Sequence, residues 1–517
     1  MAGKEKLYKN NLEEDLLAIW QAGVDGVAGD RLVREQVHAT PTDLFLGEFS
    51  FKRANIGRLV VLGGGKAAAA MGAGLEEALG EEVCRQMQLA GQLNVPDKRM
   101  TPLKFIRCVP VRSGDENRPT KQAVQATERI CHYVERLRPN DLCLFLLSGG
   151  SSNLVTFPRG LSIEEKHRLV SIVSSRGANI TEMNRIRQFF SQIKGGQLAM
   201  ASLAPMVTLA ISDVPGDNPF YIGSGPTCFP NWKEVGALPD LASQLDYLQN
   251  NLLQMETSAR EVMGNYLSLK EQKEYVPSLE EARHKGALFL QGLATRWQRE
   301  NRSRQQKGTE SLPLFPNHYY EVIGNNALAV DSAGIEAEKR GYNHVMDSST
   351  KPEGEAEKIG RHLAHLALSA AKDKAINCLI TGGEPIVKLP KSHGLGGRNQ
   401  HLALAFWDEL SGHLSEEKLE KFSFGFLSGA TDGEDGPTDV SGAYFTSKKI
   451  SEFFAKDSSK WRRIVQERLL QFDAYSFFEE FGGHLPAGEK VTNVGDLRII
   501  VLPKEDETTA NGLPEVG

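Results

Sequence analysis

No apolar run in this 517-residue chain approaches the roughly 20 residues that a membrane-spanning helix needs, and stretches such as Leu142–Leu147 are typical of its longest. Cysteine is scarce as well. The six, at 84, 108, 131, 143, 228 and 378, form no C-x-x-C pair and are too widely spread for a disulfide scaffold, so reduced thiols are expected. A basic excess is also missing: 60 Lys and Arg stand against 66 Asp and Glu, a formal net charge of −6. That argues against a dedicated nucleic-acid binder, while leaving room for a local basic pocket. The chain has no short-period repeat, no heptad run, no G-x-S-x-G elbow and no H-E-x-x-H motif. The segment preceding Leu16 lacks an apolar signal core, and Glu13, Glu14 and Asp15 do not suit a transit peptide. These absences leave a soluble, cytoplasmic protein with no membrane or nucleic-acid partner as the expectation.

Glycine is what the chain has in excess, 50 residues or about a tenth, against a usual share of about 7%. Many of these glycines close short apolar runs: RLVVLGGGK (58–66), LCLFLLSGG (142–150), VTLAISDVPGD (207–217), INCLITGGE (376–384) and FSFGFLSGATDG (422–433). Runs of this kind suit strands covered on both faces. Between them lie segments of helical pattern, including 66–79, 120–137, 163–175, 327–340, 355–371 and 400–410. Repeated strand, glycine loop and helix predict a parallel α/β architecture, with ligands beyond the carboxyl ends of the strands. The charged, proline-bearing stretch 270–317 reads as a linker or surface insertion. It divides an N-terminal domain, 1–312, from a smaller C-terminal α/β domain, 318–503, followed by a polar tail, 504–517.

The loops carry the candidate chemistry. Gly63-Gly64-Gly65-Lys66 follows a strand and opens an Ala-rich helix, so loop amides and the Lys66 charge are suited to a phosphate or carboxylate. It is not a Walker A loop, since Ala67 follows the lysine and Val60 holds the first glycine position. Residues 63, 65 and 68 do match the loose dinucleotide pattern G-x-G-x-x-A, but no acid-terminated second strand is evident near 83. A tight turn with a solvated lysine is the plainer alternative. Ser148-Gly149-Gly150-Ser151-Ser152-Asn153 is a second such junction, able to surround phosphates or simply to turn. Asn184 and Arg187 share a helix face ahead of Lys194-Gly195-Gly196, where a solvated face is the ordinary expectation. Asp213 and Asp217 close a strand and suit Mg²⁺ or acceptance of a hydroxyl proton, or else cap a turn. Ser224-Gly225-Pro226-Thr227 is another small-residue loop. Further on, Glu384 ends a strand, Gly396-Gly397-Arg398-Asn399-Gln400 enters a helix with an arginine suited to clamp phosphate oxygens, and Asp432 lies in a dense loop, 428–438. His362 and His365 lie three apart on an expected helix, but no nearby acid or third ligand completes a site, so they are expected to face solvent.

In this order the motifs resemble the type II glycerate kinases, and the C-terminal part resembles their MOFRL domain. The resemblance implies two α/β domains, a Rossmann-like, mostly parallel sheet flanked by helices and the smaller MOFRL-like domain, with the active site in the cleft between them. It implies ATP and Mg²⁺, with transfer of the γ-phosphoryl to (R)-glycerate, giving 3-phosphoglycerate as usually catalogued or 2-phosphoglycerate, by a monomer or homodimer. Lys66, Arg398 and Asp213 would then be catalytic, and Asp213 and Asp217 metal-binding. Gly64, Gly65, Ser148, Gly149, Gly150, Ser151, Gly396, Gly397 and Asp432 would hold the nucleotide, and Asn184, Arg187, Asp217, Glu384 and Asn399 the substrate. Where the family reads N-x-I-R-K this chain has Gln188, and where it reads N-D-S-Y this chain has Phe472-Asp473-Ala474-Tyr475. Two alternatives remain: an NAD(P)-dependent oxidoreductase, and a catalytically weakened paralogue acting as a binding protein.

Overall fold

The computed structural model describes residues 11–112, 118–229, 238, 240–309, 318–373, 375–413, 422–454, 461–488 and 492–503. The tail expected over 504–517 lies outside them. Two compact units emerge, one running from Gly29 to Ile323 and the other combining residues up to Ala28 with those from Gly324 on.

The first unit opens with a small antiparallel sheet of β1 (Val37–Ala39), β2 (Asp43–Leu46) and β3 (Phe49–Lys52). Its main sheet is built from β4 (Leu59–Gly64), β5 (Ala90–Pro96), β6 (Ile106–Arg112), β7 (Leu142–Leu147), β8 (Met206–Ile211) and β9 (His318–Gly324), in spatial order β6-β5-β4-β7-β8-β9. The pairings of β4 with β5 and β7, of β5 with β6 and of β7 with β8 are all parallel. Counted from β4, this is the doubly wound order 3-2-1-4-5-6, whose chain reversal falls between β4 and β7, where ligands gather. Every residue of β4, β7 and β8 is buried, as expected of strands covered on both faces. Register places Gly63 opposite Leu146 and Gly64 opposite Leu147, so the loops after β4 and β7 leave the sheet side by side.

The second unit carries a sheet of β10 (His344–Ser348), β11 (Cys378–Gly383), β12 (Gly425–Ala430), β13 (Val440–Thr446), β14 (His484–Pro486) and β15 (Asp496–Val501), ordered β10-β11-β15-β12-β13-β14. This sheet is mixed. Only β10 and β11 are parallel, because the last strand, β15, enters antiparallel between β11 and β12, and β13 returns beside β12. Its core is aromatic, with Phe406, Trp407, Phe426, Phe445 and Phe478 buried together.

The domain boundary also differs from expectation at both ends. The helix Leu12–Gly26 packs Leu16, Ile19 and Trp20 against Leu427, Leu497 and Ile499, so the start of the chain belongs to the second unit. The stretch 270–309 is mostly the long helix Val276–Gln306, with Leu279, Ala282, Leu290 and Leu293 buried. Leu279 and Ala282 join Ile186, Phe189 and Ala259 in the first unit's core. The apolar residues recur at helical spacing inside a charge-rich sequence, which disguised the packing face. Residues 310–317 lie outside the described set.

Candidate active site

In the first unit the β4 and β7 loops interlock. The amides of Gly65, Lys66 and Ala67 donate to Asn94 O (3.1 Å), Gly149 O (2.9 Å) and Ser148 Oγ (3.0 Å). A Cβ on Gly63 would lie 2.0 Å from Leu146 O, one on Gly64 2.6 Å from a Val155 methyl, and one on Gly65 2.1 Å from Ser148 Oγ. These glycines are therefore required by close packing of the chain on itself. That is a correction: the amides from 65 to 67, expected to cradle an anion, are already engaged, and the loop's charge resides in Lys66. Lys66 is buried and its side chain lies along Gly150, which turns in the left-handed region at φ 80°.

From this loop the site continues without a break. Ser152 Oγ lies 3.2 Å from Ser224 Oγ, which donates to Asn184 Oδ1 at 3.0 Å, and Arg187 Nη1 reaches the same oxygen at 3.5 Å. Ser224 holds φ 65°, a conformation unusual for a residue with a Cβ, and its carbonyl accepts from Gln188 Nε2 (3.3 Å) and Gly195 N (3.1 Å). Gln188, read as a missing cation, thus ties the Ser224 loop to its helix. Lys194 is fully buried and donates to Gly223 O at 2.9 Å. The expected solvated face is in fact an interior one.

A fourth cation escaped the sequence reading. Lys166 sits in the first turn of the helix Ile163–Ser175, which starts with a reciprocal cap between Ser162 and Glu165. Its ammonium is buried and has no hydrogen-bond partner. The helix Ile180–Phe189, capped likewise by Asn179 and Glu182, presents Asn184 and Arg187 nearby. Lys166, Arg187 and Lys194 line one cavity of about 420 Å³ with Ser152 and Asn153. No carboxylate among the described residues pairs with any of the three. Burial, then the charges of Arg187 and Arg159, push Lys166 down to about 7. Burial likewise holds Lys194 well below the ordinary lysine value and lowers Arg187.

Asp213 and Asp217 follow β8 in a turn closed by Asp217 N to Val214 O at 3.0 Å, both partly exposed. They belong to no three-ligand cluster of His, Cys, Asp or Glu among the described residues. His362 and His365 are exposed as expected, but an acid does reach one of them: in the one such cluster among the described residues, His365 and His413 each place Nε2 3.0 Å from Glu409 Oε1, and Arg361 donates to Glu409 Oε2 at 2.8 Å. Glu409 stands on the helix Arg398–His413, out of reach of a local sequence search.

In the second unit, Arg398 opens that helix with its guanidinium bidentate on Asp496, Nε and Nη2 each at 2.7 Å, and Glu384 3.3 Å from Nη2. Burial pulls its pKa down, yet Asp496, Glu384 and Asp432 hold it well above the ordinary arginine value. Among the described residues Nη1 makes no hydrogen bond. Asp496, at the head of β15, is the partner that sequence reading did not assign.

Asn399, expected to touch substrate, is instead fully buried. It donates through N (2.9 Å) and Nδ2 (3.3 Å) to Asp435 and accepts from Ser428 Oγ (2.6 Å). Asp435 also accepts from Gln400 N and Nε2, both at 2.9 Å, and so caps the helix. Gly397 is glycine because a Cβ would lie 2.2 Å from Asp435 Cγ, and Gly396 packs beside Ala474. Asp473 steadies the approach to this loop by accepting from Leu395 N at 3.2 Å and from Ser476 Oγ at 2.8 Å.

Comparison with known proteins finds relatives over most of the chain. Residues 15–249 match the domain of unknown function DUF4147, and residues 377–496 match the MOFRL family. The chain is 30% identical to the glycerate kinase of Rattus norvegicus, covering 86% of this chain and 84% of the rat protein. It is also 30% identical to an Agrobacterium vitis protein named putative hydroxypyruvate reductase, over 86% of this chain and 87% of that one. The crystal structure of glycerate kinase from Thermotoga maritima superposes with a TM-score of 0.68 at 27% identity, over 95% of this chain and 99% of that one.

Proposed function

The chain belongs to the glycerate kinase family, and from that premise we propose that it transfers the γ-phosphoryl group of ATP to a hydroxyl of (R)-glycerate. The observation that carries the reading is the continuous arrangement from Lys66 through Ser152, Ser224 and Asn184 to Arg187 and Lys194, at the chain reversal of a doubly wound sheet. Phosphoryl transfer asks little covalent chemistry of a protein; it needs positioning and neutralisation of charge. The acceptor oxygen forms a bond to the γ-phosphorus as the bond to the ADP oxygen breaks. In this reading Asp213 takes the hydroxyl proton, and Lys66 and the open Nη1 edge of Arg398 neutralise the transferring group. Mg²⁺ needs only one or two carboxylates beside phosphate and water oxygens, and the partly exposed, oxygen-only pair Asp213 and Asp217 fits that demand. Bound there, it would supply charge to the phosphate oxygens. Of the two possible esters, the family resemblance gives 3-phosphoglycerate as usually catalogued, with 2-phosphoglycerate the alternative.

In a coupled assay with ATP, Mg²⁺ and D-glycerate, Lys66→Ala and Arg398→Ala should each lose about 10²–10³ in kcat while remaining folded, the usual cost of one lost donor to developing charge. Wild-type turnover in both variants would reject these roles.

A reductase reading draws support from the strand order and the Agrobacterium relative's name. Against it, the glycines at 63 and 65 are filled by the chain's own atoms, leaving no close backbone approach for a pyrophosphate. NADH oxidation with hydroxypyruvate would establish it.

A further inference from the structure

Burying one cation without an anion is costly, and the first unit buries several together. Arg159 spends its donors on Phe189 O and Gln197 Oε1. Lys166, Arg187 and Lys194 do not. Lys194 makes one hydrogen bond, Arg187 one long one, and Lys166 none. An ammonium offers three donors and a guanidinium five, so most of this capacity is left at a cavity that no acid among the described residues lines. Uncompensated charge of this kind destabilises the fold, and an anion from solution would relieve that cost.

We propose that this cavity binds the carboxylate of the small hydroxy-acid substrate, with Lys166 donating directly to a carboxylate oxygen beside Arg187 and Lys194. The proposal deepens the kinase reading and rests on it for the identity of the acid. Size supports a small ligand: about 420 Å³ lies within the range of small-molecule sites. The neutral lining groups Ser152 and Asn153 suit the hydroxyls of a short polyol acid. Position supports the carboxylate end. Ser152 borders the cavity, while Gly150, two residues earlier in the same loop, lies against Lys66. A molecule anchored by its carboxylate among the three cations extends its hydroxyls along this loop toward the lysine assigned to the phosphoryl group. A phosphate oxygen of the nucleotide offers similar chemistry, and the experiment separates the two.

The full chain is assayed as wild type, Lys166→Met and Lys166→Arg, with KM for D-glycerate and for ATP measured separately. Lys166→Met should raise KM for D-glycerate at least tenfold, leave KM for ATP within about twofold, and be partly rescued in Lys166→Arg. Thermal unfolding gives a readout independent of turnover. D-glycerate and D-lactate should raise the Tm of the wild type, and Lys166→Met should abolish that rise while its ligand-free Tm stays equal to or above the wild type. A rise in KM for ATP alone, or ADP stabilisation lost in place of glycerate stabilisation, would overturn the carboxylate assignment. Unchanged KM values and unchanged carboxylate stabilisation in Lys166→Met would overturn the site. Glycerate-dependent stabilisation that vanishes in Lys166→Met, in a wild type without kinase turnover, would uphold the pocket and sink the kinase reading.

Discussion

The two units handle buried positive charge in opposite ways. In the second unit one guanidinium, Arg398, is surrounded by Asp496, Glu384 and Asp432, so the protein supplies its own counter-charge. In the first, Lys166, Arg187 and Lys194 share a cavity without one paired carboxylate among the described residues. A self-neutralised cation is fixed in place and offers a single open edge. An unneutralised cluster is held in readiness for an anion, and its energetic strain is relieved by the ligand. Loss of a partner should therefore harm the second unit and spare, or even stabilise, the first.

The largest expected effect comes from Asp496→Ala. Asp496 is fully buried, and removing one partner of a buried pair typically costs about 3–5 kcal/mol, because the other charge is left uncompensated. Urea unfolding should show that loss, and a change below about 1 kcal/mol would mean that Arg398 finds another partner and the contrast collapses.

Next is the pH response. Lys166 titrates near 7 when folded, against an ordinary lysine value of 10.5, so from about 7 to 10.5 the unfolded chain binds more protons. Stability of the ligand-free protein attributable to this group therefore rises with pH across that window. Anion binding needs the ammonium charged, and a carboxylate stays ionised throughout. KM for D-glycerate should accordingly climb by about tenfold between pH 7 and 8.5, while Lys166→Arg, charged across the range, should give a shallower rise, with Lys194 the remaining titrating cation. The facing charges are Arg187, Arg159 and Lys194, and His167 also lines the cavity. A rise of equal slope in Lys166→Arg would assign the dependence elsewhere.

The smallest effect belongs to Glu384→Gln. Glu384 is nearly half exposed and 3.3 Å from Arg398, so its removal should change stability by less than about 1 kcal/mol. A larger loss would show that the outer acid matters as much as Asp496.

Much of the scaffold could be read from the residues. The β4 and β7 loops, the SDVPGD turn and the helix behind GGRNQ lie where apolar runs stop at glycine, because a strand-to-helix turn leaves a local signature. What escaped has a non-local cause. Lys166 sits in IEEKHRLV among charged neighbours and looks solvated, and only packing of its helix against the one bearing Arg187 buries it. Asp496 opens an otherwise ordinary strand, and its pairing with Arg398 follows from β15 inserting antiparallel beside β11. The helix Leu12–Gly26 joins the far end of the chain through Leu16 and Trp20, a choice no linear pattern encodes. Asn399 misled in the other direction: its place after a catalytic-looking arginine suggested a ligand, but its amide serves Asp435 and Ser428.

Phosphorus NMR of wild-type protein with ATP, Mg²⁺ and D-glycerate tests the central claim most directly. The account predicts ADP together with a new phosphate ester, a proton-coupled triplet for the C3 ester or a doublet for the C2 ester, and neither in Lys66→Ala. Inorganic phosphate as the only product, or an unaltered ATP spectrum with folded protein, would contradict it.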